Sequence, residues 1–371
     1  MIATLVQFLL GLVILALGGG LLIRGSSRLA SELGVSRLFI GLTVVAFGTS
    51  APEAAVSVMA ALSGSTDMAL GNLVGSNIFN ILLILGLAAL IIPLSVSSQV
   101  VRFDLPFLVT ISGLFLLLAY DGSVGFLDGL LLLALLALHI FISYRKGIRA
   151  KGPDGRSGVV DPLEAPADFP RRNTPWKGLL LNAIIVVAGL AFLVFGSRWL
   201  VASASIAARW LGLSELVIGL TVIAIGTSLP EVATSITAAC RGESDIAVGN
   251  VVGSNIFNIL GVLGFSAVAA PGGVAVSPAV LSFHLPVMVA VAVLCLPIFF
   301  TDMAVLRWEG GVLLGYFVLY TMYLLLRATD HHTLHEFTVL VKWVIIPITV
   351  LTLVAATIAN LLERRGKGGH K

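Results

Sequence analysis

The sequence has 371 residues, 58% of them hydrophobic and 11% charged, with a formal net charge of +3 at pH 7. A soluble domain carries about 25% charged residues, so most of this chain is expected in a bilayer, with no nucleic acid among its partners. Apolar runs long enough to cross a bilayer fall in chain order at roughly 3–23, 38–62, 68–93, 104–120, 124–144, 178–200, 214–240, 246–270, 280–300, 304–326 and 337–362.

The first run lacks a basic leading region and ends at Arg24 without a clear cleavage site, so it reads as a span and not as a signal peptide. With the N-terminus outside, most Lys and Arg fall in loops on the cytoplasmic side, and the C-terminal tail adds Arg364, Arg365, Lys367 and Lys371. That bias predicts an outside N-terminus and a cytoplasmic C-terminus, which requires an odd number of spans. Cys240 and Cys295 lie in or near apolar runs and read as buried small residues. The low Lys and high Gly/Ala content points to a prokaryotic plasma membrane.

Shifted by 178 positions, the chain matches itself. Segment 41–86 aligns without a gap on 219–264, with 30 of 46 positions identical, including Pro, Glu, Asp and three Asn. An odd number of crossings separates the two copies, so they run in opposite directions. The predicted fold class is therefore an all-α polytopic membrane protein of two inverted five-helix repeats plus an extra C-terminal transmembrane helix. Inverted repeats are a mark of secondary transporters with a site near the midplane. The expected divisions are 1–144 for the first repeat and 145–176 for a polar, proline-bearing cytoplasmic linker. The second repeat takes 177–327, and 328–371 holds the eleventh helix and basic tail.

The repeated stretch carries "GTSAPE" and "GTSLPE", each followed by "GSNIFN". Pro52 has no N–H to give the Gly48 carbonyl, so backbone oxygens around Ala46, Phe47 and Gly48 are expected to lose part of their pairing. Such groups persist in a membrane only where something else satisfies them. Pro230 and Gly226 repeat the arrangement. Helical spacing puts Thr49, Ser50 and Glu53 on one face and Ser76 with Asn80 on another. Thr227, Ser228, Glu231, Ser254 and Asn258 are their counterparts. All are hard oxygen donors, suited to calcium or sodium and unsuited to zinc or copper. An intramembrane glutamate costs about 2.5–3.5 kcal/mol on insertion scales and is functional by default.

Other polar positions read as structural. Asp67 and Asp245 are expected to cap helices, and Asn77 and Asn255 to tie neighbouring helices together. Gly71 with Gly75, and Gly249 with Gly253, are spaced for close helix packing. The "HHTLH" cluster of His331, His332 and His335 reads as a solvated loop. No HExxH pair, nucleophile–base constellation or cofactor fingerprint occurs, so neither an enzyme nor a cofactor is expected.

The duplicated motifs resemble the two alpha-repeats of the calcium/cation antiporter superfamily, most closely the prokaryotic sodium/calcium exchangers. That resemblance implies two inverted five-helix halves and transported Ca2+ and Na+. It makes Glu53 and Glu231 the central ligands, with Thr49, Ser50, Ser76, Asn80, Thr227, Ser228, Ser254 and Asn258 around them. It adds the backbone carbonyls of Ala46 and Ala224, and it implies that the first and sixth helices slide against the rest. Asparagine at both 80 and 258 argues against a potassium requirement. A proton-coupled calcium exchanger is the alternative, since membrane-embedded glutamates can carry H+; a channel or an enzyme fits the pattern less well.

Overall fold

Near-continuous apolar sequence without internal proline gives the first long helix, α1 (Thr4–Leu33). The structure, a computed structural model, describes residues 2–149, 175–210, 226, 228–329, 331–349 and 351–352. After α1 come α2 (Arg37–Thr49), α3 (Ala51–Leu62), α4 (Thr66–Ile91), α5 (Val100–Asp121) and α6 (Phe126–Ile148). The second half contributes α7 (Trp176–Ile206), α8 (Leu229–Cys240), α9 (Ser244–Ala269), α10 (Val280–Asp302) and α11 (Arg307–Arg327). Among the described residues, eight helices are long and apolar enough to cross a membrane, or nine when α2 and α3 count as one bent span.

The difference from the eleven expected spans lies in two segments. Of 214–240 only the α8 portion and Gly226 and Ser228 are described, and of 337–362 only the beginning. That beginning, α12 (Leu334–Leu340) and the wider turn that follows, contains no buried residue. It stands outside the body formed by the two repeats. The linker expected at 145–176 is shorter at both ends, because helix continues to Arg149 and resumes at Pro175; residues 150–174 lie outside the described part.

Two small sheets establish the inversion. Strand β1 (Leu94–Ser95), between α4 and α5, pairs antiparallel with β4 (Ala304–Val305), between α10 and α11. Strand β2 (Ser123–Val124), between α5 and α6, pairs antiparallel with β3 (Val274–Ala275), between α9 and α10. By repeat position, β1 corresponds to β3 and β2 to β4. In two halves of like orientation, corresponding connections would share a side, and β1 could not reach β4. Only inversion brings the connection after the third span of one half beside the connection after the fourth span of the other.

Irregular turns repeat as well. Wider, π-type helical turns occupy Asn80–Leu85 and Asn258–Val262, at matching places in α4 and α9. A second matched pair, Val100–Asp104 and Val280–His284, opens α5 and α10. Such turns concentrate at functional positions in helices.

The core is built around α9, the most enclosed of the spans. Its Gly253 lies against the backbone of Leu42, where an added Cβ would sit 2.5 Å from the carbonyl oxygen, and Gly249 touches the same turn. This confirms the close packing expected at Gly249 and Gly253. No described atom comes within 4 Å of a Cβ placed at Gly71 or Gly75, so the first-half pair does not make that contact.

Helices α1 and α7 lie side by side along a glycine seam. A Cβ on Gly18 would meet Leu193 N at 2.8 Å, and one on Gly189 would meet Leu22 N at 2.6 Å. Gly196 approaches Leu15 N equally closely, at 2.8 Å. Small residues let the two backbones touch.

Several local expectations are corrected. The residues preceding α4 and α9 are Ser65 and Glu243, so Asp67 and Asp245 fall inside the first turn, where a carboxylate meets the positive end of the helix dipole. Asn77 donates to Leu73 O in its own helix at 3.1 Å, so it ties no neighbour. Cys240 is exposed because it ends α8 at the surface loop, whereas Cys295 is buried as expected. His331, His332 and His335 are exposed.

Filling the seam tests it. Gly18→Leu and Gly189→Leu should each destabilise the protein by the roughly 1–3 kcal/mol typical of overpacking, read as a lower thermal unfolding temperature in detergent. Gly315→Leu, at a position with open space around it, should change it little.

Candidate cation site

The helix break opens where the sequence places glycine and proline. Helices α2 and α3 meet at Ser50, with a bend of 51° between their axes. Pro52 sits in the first turn of α3 and Pro230 in the first turn of α8, where a missing N–H costs nothing. Gly48 is held by its neighbour: an added Cβ would lie 2.6 Å from Leu190 on α7.

This break fixes the glutamates. Glu53 and Glu231 each occupy the first turn of a half-helix, at the end where unpaired N–H groups and the helix dipole favour negative charge. Both are enclosed, each only 2% exposed. Their hydrogen bonds cross between the repeats. Ser50 Oγ donates to Glu231 Oε1 at 3.0 Å, and Ser228 Oγ donates to Glu53 Oε1 at 3.2 Å. Each half thus orients the carboxylate of the other.

The second oxygens of the two carboxylates, Glu53 Oε2 and Glu231 Oε2, have no hydrogen-bond partner among the described residues. Nor do Asn80 Oδ1, Asn258 Oδ1 and Ser254 Oγ. All five belong to positions expected from the repeat. Buried oxygens are normally paired, so a cluster of unpaired acceptors on matched positions is suited to a cation. Among the described residues no group of three or more His, Cys, Asp or Glu could hold a metal ion. Two carboxylates and neutral oxygens are therefore the available donors.

The remaining expected residues divide. Thr49 is buried, with Oγ1 at 3.1 Å from Asn250 Oδ1 and 3.3 Å from Ala46 O. The Ala46 carbonyl is not left open by the break, because it also accepts from Ser50 N at 3.0 Å. The carbonyl that loses its usual donor is that of Gly48, opposite Pro52. Ser76 is buried on α4. Asn80 Nδ2 donates to Asn255 Oδ1 at 3.0 Å, so Asn255 joins the two repeats as expected and turns Asn80 Oδ1 the other way. Ala224 and Thr227 lie outside the described residues.

Sequence reasoning missed a supporting layer. Asn72 Nδ2 donates to Ser57 Oγ at 2.8 Å and to the Glu53 carbonyl at 3.2 Å. In the second half, Asn250 Nδ2 donates to Ser235 Oγ at 2.9 Å. Asn72 aligns on Asn250 and Ser57 on Ser235 in the duplication. Their identity in both copies, as polar residues inside apolar helices, was the available signal.

The profile of the sodium/calcium exchanger protein family matches residues 3–145 and 181–326, which are the two repeats. The chain belongs to the sodium/calcium exchanger family. This exchanger-family chain is 39% identical to the protein CaxA of Alkalimonas amylolytica, over 88% of its own length and 100% of that protein's. It is 32% identical to the sodium/calcium exchanger MaX1 of Methanosarcina acetivorans, over 85% of its length and 97% of that protein's. Its fold is similar to that of the sodium-calcium exchanger NCX_Mj solved with zero Na+ and Ca2+. The TM-score is 0.72 at 29% identity, covering 87% of this chain and 99% of that one. The family is one of transporters, not enzymes, and this exchanger-family chain is a multi-pass integral membrane protein.

The crossed hydrogen bonds are testable by double-mutant cycles on thermal stability in detergent. Ser50→Ala with Glu231→Gln, and Ser228→Ala with Glu53→Gln, should be non-additive by about 0.5–3 kcal/mol. The same-half pair Ser50→Ala with Glu53→Gln should be close to additive.

Proposed function

We propose that the protein is an antiporter that exchanges Na+ for Ca2+ across the membrane, using one shared site whose access alternates between the two sides. The observation that supports this most is the symmetric pair Glu53 and Glu231, buried where the repeats cross, each with one carboxylate oxygen unpaired among the described residues. Two carboxylates balance the charge of a single Ca2+. With Na+ on the same oxygens, the site cannot also hold Ca2+, and that mutual exclusion couples the two fluxes. The neutral donors Asn80, Asn258, Thr49, Thr227, Ser50, Ser228, Ser76 and Ser254, and the carbonyls of Ala46 and Ala224, complete the proposed ligand set.

Oxygen-only coordination suits Ca2+, which takes six to eight such ligands. The threonine and serine hydroxyls suit Na+ equally and give it a path that needs no proton. The similarity to MaX1 and NCX_Mj, both sodium/calcium exchangers, supports the same pair of ions. Exchange of three Na+ for one Ca2+ moves one net charge per cycle, which a potential of 100 mV biases by ~2.3 kcal/mol.

Alternation of access requires something to slide. Helices α1 and α7, held backbone to backbone along their glycine seam, form a pair that can move as one unit against the rest. We assign it that role, with the remaining helices as the fixed body. In the cell the reading places the protein in a prokaryotic plasma membrane, N-terminus outside and C-terminus cytoplasmic, with residues 1–144 and 177–327 as the two functional halves.

The decisive experiment is Ca2+ uptake into proteoliposomes loaded with Na+, without a proton gradient. Na+-driven uptake is expected. Uptake of one Ca2+ against exit of three Na+ removes one positive charge from the lumen, so an inside-positive potential should accelerate it and an inside-negative one slow it. Glu53→Gln and Glu231→Gln should each abolish it. Uptake that needs an imposed proton gradient and ignores Na+ would replace this reading with H+/Ca2+ exchange.

A further inference from the structure

A hydroxyl can offer a lone pair to a cation only when its proton has an acceptor on another side. Thr49 is 1% exposed, so water does not supply that acceptor. Three protein groups compete for the proton. Ala46 O lies at 3.3 Å and Asn250 Oδ1 at 3.1 Å, and the Glu231 carboxylate lies close enough to attract it as well. The choice among them matters. A proton turned toward Glu231 occupies the carboxylate and faces whatever the carboxylate binds; a proton turned toward Asn250 leaves the Thr49 oxygen and Glu231 Oε2 free for an ion.

Ala46 O is the weaker alternative, because it is the more distant at 3.3 Å and shares its lone pairs with Ser50 N at 3.0 Å. Asn250 is the better one, and its amide is held with the oxygen forward. Nδ2 donates to Ser235 Oγ at 2.9 Å on the far side, which keeps Oδ1 toward Thr49. The contact joins the two repeats, since Thr49 stands on α2 and Asn250 on α9. It also rides on close backbone packing, where Gly249 and Gly253 press against Gly41 and Leu42. The amide therefore has little room to turn. Asn250 is fully buried and absent from the set of ligands proposed above.

We propose that Asn250 is a positioning residue for the cation site: it accepts the Thr49 proton and so keeps the Thr49 oxygen available as a ligand, with Ser235 fixing the amide's orientation. It does not itself touch the ion. The inference rests on the reading of Glu53, Glu231 and Thr49 as parts of one cation site. The outer partners of metal ligands have this effect in general, and their loss costs roughly 10–100-fold in affinity.

The test is equilibrium binding of radioactive Ca2+ to the full-length protein in detergent, with thermal unfolding as a check on folding. Asn250→Leu should weaken Ca2+ binding roughly tenfold, and the loss should disappear when Thr49→Val is already present, because no proton then needs an acceptor. Asn250→Asp should bind at least as tightly as the unmodified protein, since a carboxylate accepts from both Thr49 and Ser235. Additive losses from Asn250→Leu and Thr49→Val would overturn the proposal, as would an Asn250→Asp protein that unfolds normally and binds as poorly as Asn250→Leu. Should Asn250→Leu not fold, Ser235→Ala carries the test. It should give a smaller weakening that Thr49→Val removes, and unchanged binding would overturn the proposal. Failure of the site reading itself looks different: the unmodified protein would then show no saturable Ca2+ binding that Glu53→Gln removes.

Discussion

Everything in this protein is arranged around two carboxylates that a membrane interior would otherwise reject. Each is oriented by a serine from the opposite repeat, Ser50 for Glu231 and Ser228 for Glu53. Neither half can therefore build its own site. A single repeat would hold one glutamate at a helix end without the hydroxyl that faces it, and a buried carboxylate lacking partners is costly. The reciprocal bonds make the two halves one functional unit.

The broken helices serve that requirement. Proline stands at the second residue of α3, where the bend from α2 falls, and at the second residue of α8, and the glutamate follows within the first turn. The site thus sits at two positive helix ends, brought toward each other by the inversion. Around it, α4 and α9 widen into π-type turns starting at Asn80 and Asn258, the two residues whose amide oxygens join the unpaired set.

The two halves are not equal in detail. Gly249 and Gly253 lock α9 to the turn at Gly41 and Leu42, while the first-half glycines make no such contact with described residues. Loop residues differ too. Arg241 donates to Gly20 O on α1 at 2.8 Å, and Arg37 pairs with Glu243 at 2.8 Å, with Ser27 of α1 donating to the same carboxylate. The aligned loop in the first half reads Ser63-Gly64-Ser65 and carries no charge. Helix α1 is thus tied by polar contacts at one end, and its glycine seam with α7 runs beside those ties. The pair Arg37–Glu243 is partly exposed, so its value is orientation more than stability.

How much of this was written in the sequence depends on the range of the interaction. The duplication showed the inverted halves, and the paired GTS-x-PE motifs showed the glutamates and the helix breaks, because proline, glycine and a membrane-embedded charge act through local chemistry. The same motif placed Ser50, Asn80, Ser228 and Asn258 near them, since spacing on one helix fixes which residues share a face. Which carboxylate each serine would face is not a property of spacing; it followed only when the inversion set Ser50 opposite Glu231. The second layer was invisible for the same reason. Asn250 accepts from Thr49 because the fold sets α9 against α2, and the Ala46 carbonyl, unpaired by local reasoning, accepts from Ser50 N. Sequence alone determined the chemical groups and the symmetry that brings them together. Tertiary structure decided the direction of each hydrogen bond, because direction depends on what the partner helix presents.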